Sequence, residues 1–155
     1  MKFTETDQKF MQLALEQAVA GIGKTDFAPS IGCVLVKNDE VIGRGRTSDG
    51  GVPHAEDNAL RMAKENGYDP QGCTAYVTLE PCATPDPGAD ICCTDLLLKA
   101  KIARVVASVQ DPDYKTNGQG VDRLRAAGVQ VDIGLCADES MTQNAWFYES
   151  RMFKS

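Results

Sequence analysis

The sequence predicts an α/β protein in which a mixed β-sheet is covered by helices on both faces. Two short apolar runs near the N-terminus have the pattern of a β-hairpin, and strand-like and helix-like segments then alternate along the chain. Such alternation is typical of neighbouring strands linked by helices. With 155 residues, of which 43% are hydrophobic, the chain is expected to form a single domain over residues 1–155.

The first predicted elements are a helix and the hairpin. Between residues 7 and 20, apolar and small side chains recur at helical spacing, and two glycines just beyond them predict the end of the helix. Residues 30–36 and 40–45 are apolar runs joined by a polar tripeptide, which predicts two antiparallel strands. Four glycines lack the pattern of a phosphate-binding loop and are expected in turns, namely Gly43, Gly45, Gly50 and Gly51.

The remaining elements alternate between strand and helix. Strands are predicted over residues 73–78, 103–109 and 129–133, and helices over residues 55–66, 94–100, 120–127 and 138–153. Trp146, Phe147 and Tyr148 lie on the last of these helices. They are expected in the core or at a subunit contact rather than at a substrate.

One histidine and a few cysteines predict a metal site. His54 is the only histidine in the chain, and Glu56 follows it by two residues in the segment Pro-His-Ala-Glu. Cys82 ends a Glu-Pro-Cys segment further on, and two adjacent cysteines follow. A catalytic zinc ion takes three protein ligands, commonly imidazole and thiolate, and keeps a fourth position for water. We therefore predict Zn²⁺ held by His54, Cys82 and a second cysteine, with Glu56 as the general acid and base.

Segments besides the metal motif match one known family. The zinc deaminases carry H-x-E followed by P-C-x-x-C, and this chain matches the first half and has a longer stretch between the cysteines. Further matches lie at residues 32–36, 50–56, 75–82, 111–113, 118–120 and 124–129. On these residues the chain resembles the cytidine deaminase superfamily. Within it, the chain is most similar to the deaminase domain of bifunctional riboflavin biosynthesis proteins.

The resemblance implies a fold, a reaction and an assembly. The fold is a three-layer α/β/α sandwich around a five-stranded mixed sheet, with the zinc ligands at the N-termini of two adjacent helices. The reaction replaces an exocyclic amino group of a small pyrimidine-, purine- or pterin-like heterocycle with a carbonyl and releases ammonia. Backbone groups near Ala55 and Cys82 are implied to position the substrate and the hydroxide. The superfamily also implies a homodimer or a larger homo-oligomer.

The identity of the third metal ligand rests on a count along the chain. In the family, the ligand cysteine begins a helix that leads into a strand bearing a basic residue, which is Arg104 here. Counting back from Arg104 favours Cys93, although Cys92 remains the alternative. A closed structural site that uses both is disfavoured, because adjacent cysteines rarely reach the same tetrahedral ion.

Three departures from the riboflavin subfamily concern substrate recognition. Ala28 stands where relatives carry an asparagine that meets the base, and Thr47 stands where they carry a histidine. The loop between the zinc cysteines has no cation and contains Asp86 and Asp90, and these carboxylates would repel a substrate phosphate. We therefore expect an uncharged aminated heterocycle to be preferred.

Two alternatives to this prediction remain. Residues 111–113, which include Asp111, are either a substrate loop of the family or an ordinary turn that ends a strand, and Lys115 just after them is a candidate cation for a phosphate. The first alternative is therefore the riboflavin-pathway diaminohydroxyphosphoribosylaminopyrimidine deaminase. The second, from another functional class, is a non-catalytic binding module stabilised by zinc.

Charge and composition restrict the partners further. The net charge of -6 argues against a nucleic-acid substrate, because proteins that bind nucleic acid usually present a basic face. No apolar run approaches the length that spans a membrane, and the first residues lack the pattern of a signal peptide. A cytoplasmic location is expected, with Cys33, Cys73 and Cys136 as free thiols.

Overall fold

A computed structural model describes residues 3–112 and 117–152. These residues form helices and strands in the predicted alternation. The element bounds are α1 Glu5–Gly21, β1 Gly32–Lys37, β2 Glu40–Arg46, α2 Ala55–Glu65, β3 Thr74–Val77, α3 Cys93–Lys99, β4 Arg104–Ala107, α4 Gln119–Ala126, β5 Gln130–Ile133, α5 Ala137–Gln143 and α6 Ala145–Met152.

The five strands form one mixed sheet in the order β2-β1-β3-β4-β5. Strand β1 pairs antiparallel with β2 and β3, whereas β3, β4 and β5 are parallel and are linked by helices α3 and α4. Alternate side chains of each strand face opposite sides of a sheet. Val34 and Tyr76 pack with residues of α1, whereas Leu35 and Val77 pack with residues of α2. The predicted α/β/α sandwich with a five-stranded mixed sheet is confirmed.

Helix α2 packs unusually close to strand β2. Gly43 and Gly45 lie inside β2, so the prediction that they are turn residues is wrong. A Cβ atom at Gly45 would lie 2.6 Å from the carbonyl oxygen of Ala55, and one at Gly43 would lie 2.3 Å from that of Ala59. Only glycine permits this approach. Gly50 and Gly51 have positive φ angles and lie between the elements, as expected.

The C-terminal helix is interrupted at Asn144, which corrects the prediction of one continuous helix. The Asn144 backbone departs from helical geometry, with φ -126° and ψ 42°. Its side chain accepts a hydrogen bond from the Ser30 N–H and donates one to the Ser30 carbonyl oxygen, both at 2.8 Å. This pair of bonds ties the chain break to the segment before β1 and redirects α6. The predicted end at Phe153 lies outside the described residues.

A buried ion-pair network connects α1 to strands β3 and β4. Asp7 is 4% exposed, and its carboxylate accepts bonds from the Arg104 Nη1 at 2.9 Å and the Tyr76 hydroxyl at 2.7 Å. It also completes a capping box with Thr4, which starts α1 two residues before the predicted position. Burial by itself raises the pKa of Asp7, but the bonds from Arg104, Tyr76 and Thr4 outweigh it and lower the pKa to about 2.

None of the helices in the described part of the chain combines the length and the apolar character needed to cross a bilayer.

We predict that Asp7→Asn lowers the free energy of unfolding by about 2 kcal/mol at pH 7. The folded pKa is depressed, so the contribution of Asp7 is complete above about pH 4 and disappears as the pH falls through about 2. Urea unfolding of both proteins between pH 2 and pH 7 measures this difference. Glu5→Gln, an exposed acid in the same helical turn, is the control. A difference that does not depend on pH would contradict the role of the ionised carboxylate.

Candidate metal centre and active-site cavity

Three of the predicted ligands converge at one point. His54 caps the N-terminus of α2, Cys82 follows β3, and Cys93 is the first residue of α3. The His54 Nδ1 lies 3.7 Å from the Cys82 Sγ and 3.4 Å from the Cys93 Sγ. All three donor atoms lie within 4.8 Å of one another. The structure therefore brings together one imidazole and two thiols from distant parts of the sequence.

The spacing of these donors fits a tetrahedral zinc ion. Zinc binds sulfur at about 2.3 Å and nitrogen at about 2.0–2.1 Å, so two ligands of one tetrahedral ion lie about 3.5–3.8 Å apart. The two nitrogen–sulfur distances are 3.7 Å, inside this range, and 3.4 Å, about 0.1 Å below it. Imidazole and thiolate are also the donor types that zinc prefers. The predicted cofactor, Zn²⁺, therefore fits the residues present.

Cys92 and Cys93 face different surroundings. Cys93 contacts the cluster, whereas the Cys92 thiol lies 3.3 Å from the Asp95 Oδ2 and 3.7 Å from the Arg123 Nη1. Arg123 also forms an ion pair with Asp95 and donates a bond to the carbonyl oxygen of Ala83. Cys92 therefore packs between α3 and α4, away from the cluster. The geometry agrees with the count that favours Cys93, and the assignment of the third ligand stays a prediction.

Local electrostatics favour a thiolate at Cys82. The Cys93 thiol hydrogen-bonds to Cys82 and, with His54, holds the pKa of Cys82 well below its usual range, although burial opposes the change. The Cys93 backbone N–H also donates to the Cys82 Sγ at 3.2 Å. The same thiol pairing and burial raise the pKa of Cys93. The bond to Cys82 raises the pKa of His54 to about 9. A metal displaces these shared protons, because its ligands bind in deprotonated form.

Glu56 is buried in the wall of a cavity beside this cluster. Glu56 is 4% exposed and lines a cavity of about 280 Å³ together with His54 and Cys82. Burial raises the pKa of Glu56 to about 7, with a further contribution from Cys82. Glu56 is the second residue of α2, so the helix that carries His54 also fixes the carboxyl. The cavity thus exposes a carboxyl group next to the donors.

The predicted substrate residues have different positions. Ala28, Thr47 and Asp111 line the cavity, whereas Ala55 is fully buried and Lys115 lies outside the described residues. The Thr47 hydroxyl accepts a bond from the Ile31 N–H at 2.9 Å and donates one to the Pro29 carbonyl oxygen at 3.2 Å. In this structure Thr47 therefore holds the segment that carries Ala28.

Two residues of α6 also line the cavity, where the sequence did not predict them. Phe147 is 5% exposed, as expected for a core residue. It also lines the cavity, which was not expected. Arg151 lines the same cavity, and its guanidinium carbon lies 4.6 Å from the centre of the Phe147 ring. The two residues are four apart on one helix and so share a face. Once α6 is known to be a helix, the four-residue spacing predicts that Phe147 and Arg151 lie side by side.

Glu80 organises the loop that follows β4. Its Oε1 accepts bonds from the Asp111 N–H at 3.0 Å and the Gly118 N–H at 2.9 Å, and its Oε2 accepts one from the Val121 N–H at 3.2 Å. Gly120 must lack a side chain, because a Cβ there would lie 2.4 Å from the Pro81 carbonyl oxygen. The Glu-Pro-Cys segment therefore both presents Cys82 and anchors the start of α4.

The fold and the donor set fit a zinc-binding α/β protein. The family model described as the cytidine and deoxycytidylate deaminase zinc-binding region matches residues 4–109. The chain belongs to this family. The superfamily predicted from the sequence is thereby confirmed.

Similar proteins have related names and folds. The chain is 45% identical over 141 residues to the riboflavin biosynthesis protein RibD of Escherichia coli, covering 91% of this chain and 37% of that protein. It is 38% identical over 147 residues to a diaminohydroxyphosphoribosylamino-pyrimidine deaminase of Buchnera aphidicola, covering 92% of this chain and 94% of that protein. The structure of Acinetobacter baumannii RibD superimposes with a TM-score of 0.89 at 42% identity, covering 96% of this chain and 41% of that one. The chain thus spans about two fifths of the RibD proteins.

We predict that each chain binds one zinc ion and that Cys93→Ser abolishes this binding, because it removes a converging thiol. Cys92→Ser is the matched control, since its thiol faces Asp95 and Arg123. Elemental analysis of the purified variants measures zinc per chain, and circular dichroism checks their folding. A folded Cys93→Ser protein with full zinc content, together with a zinc-free Cys92→Ser protein, would reverse the ligand assignment.

Proposed function

We propose that the chain is a zinc-dependent hydrolytic deaminase that acts on a small aminated heterocycle. His54, Cys82 and Cys93 would hold the zinc, which supplies a hydroxide nucleophile near neutral pH. The single observation that carries the proposal is the buried carboxyl of Glu56 in a cavity that also exposes His54 and Cys82. The reaction consumes one water molecule, converts a ring carbon that bears an amino group into a carbonyl, and releases ammonia.

Glu56 would move the protons of this reaction. Hydrolysis must take a proton from water and deliver protons to the ring nitrogen and the departing amine. A carboxyl can do both when it faces the reacting atoms and its pKa lies near the working pH, to which burial brings the pKa of Glu56. Its position at the second residue of α2, inside the cavity and almost fully buried, meets both conditions. The helix N-terminus further stabilises its ionised form.

A planar heterocycle fits the apolar walls of the cavity. Phe27 and Phe147 line it together with Ile31 and Leu79, so a flat aromatic ring can contact apolar surface while its amino group faces Glu56. Ala28 and Thr47 stand where the riboflavin relatives carry an asparagine and a histidine. The cavity therefore offers few side-chain hydrogen-bond donors to a heterocyclic base. We therefore keep the uncharged heterocycle as the favoured substrate class.

A second candidate is the phosphorylated diaminopyrimidine of riboflavin synthesis. It is supported by the similarity to the Buchnera deaminase over nearly that protein's whole length. It is also supported by Arg151, a cation in the cavity that can take the place of the basic residues missing from the loop between the cysteines. The two candidates share the same reaction and differ in whether a phosphate improves binding.

We further propose that residues 1–155 act as one domain in the cytoplasm and assemble as a homo-oligomer. Val52 and Ile91 are 56% and 36% exposed and lie on a shallow apolar surface beside His54. An interface between subunits would cover this surface. Light scattering of the zinc-loaded protein measures the assembly directly.

We predict that Glu56→Gln retains zinc and folds normally but lowers kcat by about 10²–10⁴-fold, since only the proton carrier is removed. The matched control is Glu65→Gln, an exposed residue at the other end of the same helix. Ammonia release from a panel of amino-pyrimidines, purines and pterins measures turnover. Activity within about tenfold of the wild type would place proton transfer on another group. Zinc binding without ammonia release from any compound would favour a non-catalytic binding module.

We predict that the wild type shows no higher kcat/KM for the ribosyl phosphate of a diaminopyrimidinone than for the same compound without its phosphate. Arg151→Gln, compared with the exposed control Arg44→Gln, tests the second candidate. If the phosphorylated compound is preferred and Arg151→Gln removes the preference through KM, the riboflavin-pathway substrate is supported and the uncharged class is wrong. Equal values in all three proteins support the uncharged class.

A further inference from the structure

An acidic side chain from the loop between the two cysteines contacts the proposed histidine ligand. The Asp86 Oδ2 lies 2.6 Å from the Nε2 of His54, while the Nδ1 on the other side of the ring faces the two sulfur atoms. We propose that Asp86 is a positioning residue that orients His54 and fixes the proton on its Nε2, so that Nδ1 is the metal-binding nitrogen. This inference rests on the proposed zinc site.

The physical reason lies in the two nitrogens of a neutral imidazole. One nitrogen carries the proton and donates a hydrogen bond, and the other has the free electron pair that a metal needs. A carboxylate beside Nε2 keeps the proton there and strengthens the donor character of Nδ1. It also prevents rotation of the ring about its χ2 angle. Asp86 thus selects both the tautomer and the orientation that direct Nδ1 toward Cys82 and Cys93.

The loop is built to hold this carboxylate in place. Its first residue, Ala83, accepts a hydrogen bond from the Arg123 guanidinium at 2.9 Å. Just past Asp86 the chain makes a turn, in which the Ala89 N–H donates to the Asp86 carbonyl oxygen at 2.9 Å and Gly88 has a φ of 85°. These contacts fix the loop on both sides of Asp86. Asp90, in the same loop, is exposed and makes no hydrogen bond or ion pair within the described residues.

Zinc affinity tests the proposal without reference to turnover. Competition with a chromophoric chelator gives the zinc Kd of the wild type, Asp86→Ala, Asp86→Asn and the matched control Asp90→Ala. Loss of a carboxylate behind a metal-binding histidine weakens zinc about 10–100-fold. We expect this loss for Asp86→Ala, a smaller one for Asp86→Asn, whose amide oxygen still accepts a hydrogen bond, and none for Asp90→Ala. Thermal unfolding of the four proteins checks that each variant is folded.

The single histidine allows a second, spectroscopic readout. In protein labelled with ¹⁵N-histidine, both ring resonances belong to His54. In the zinc-loaded wild type we expect a protonated Nε2 with a one-bond coupling to hydrogen, and a metal-bound Nδ1.

A protonated Nδ1, or an Asp86→Ala protein whose Kd equals that of the wild type, would overturn the role of Asp86 and leave the proposed function intact. A wild type that binds no zinc would overturn both. Zinc binding with the expected affinities but without ammonia release would overturn the proposed function alone.

Discussion

The contact between helix α2 and strand β2 is the constraint on which the site depends. With glycine at positions 43 and 45, the backbone of α2 lies directly against the strand, and any side chain there would collide with helix carbonyl groups. This contact sets the height of the α2 N-terminus above the sheet. His54 and Glu56 both lie within the first turn or its cap, so their positions relative to Cys82 follow from it. A displacement of even 1 Å would separate donors that now lie at tetrahedral spacing.

Two buried polar side chains, Glu80 and Asn144, act as clamps that hold other parts of the cavity in place. Glu80 ties the loop after β4 to the start of α4 through three backbone N–H groups. Asn144 ties the chain break before α6 to Ser30, just ahead of β1. The first clamp holds Asp111 at the cavity wall, and the second brings Phe147 over the cavity. Both use a buried side chain to satisfy backbone groups, which couples the cavity to the folding of the sheet.

The metal cluster could be predicted from the sequence, because the residue types that bind zinc are few and their spacing is distinctive. His54, Cys82 and Glu56 come from local motifs, and the choice of Cys93 came from counting to Arg104. The glycines of β2 could not be placed, because their role is to avoid a helix that is distant in sequence. The break in the helix at Asn144 could not be predicted for the same reason, because its cause is a hydrogen-bonded partner 114 residues away.

The charge of the loop between the cysteines takes on a different meaning in the folded chain. From the sequence, Asp86 and Asp90 are two free carboxylates near the place where a phosphate would bind. In the structure, Asp86 faces His54, which bonds to Cys82 on its other side, so its charge is partly balanced within the metal site. Of the two carboxylates in this loop, only Asp90 then opposes an anionic substrate, at an exposed position where water and salt screen it. Repulsion by the loop is therefore weaker than the sequence alone suggests. Discrimination between charged and uncharged substrates then depends on Arg151, and on the loss of the asparagine and histidine that the riboflavin relatives carry at the positions of Ala28 and Thr47.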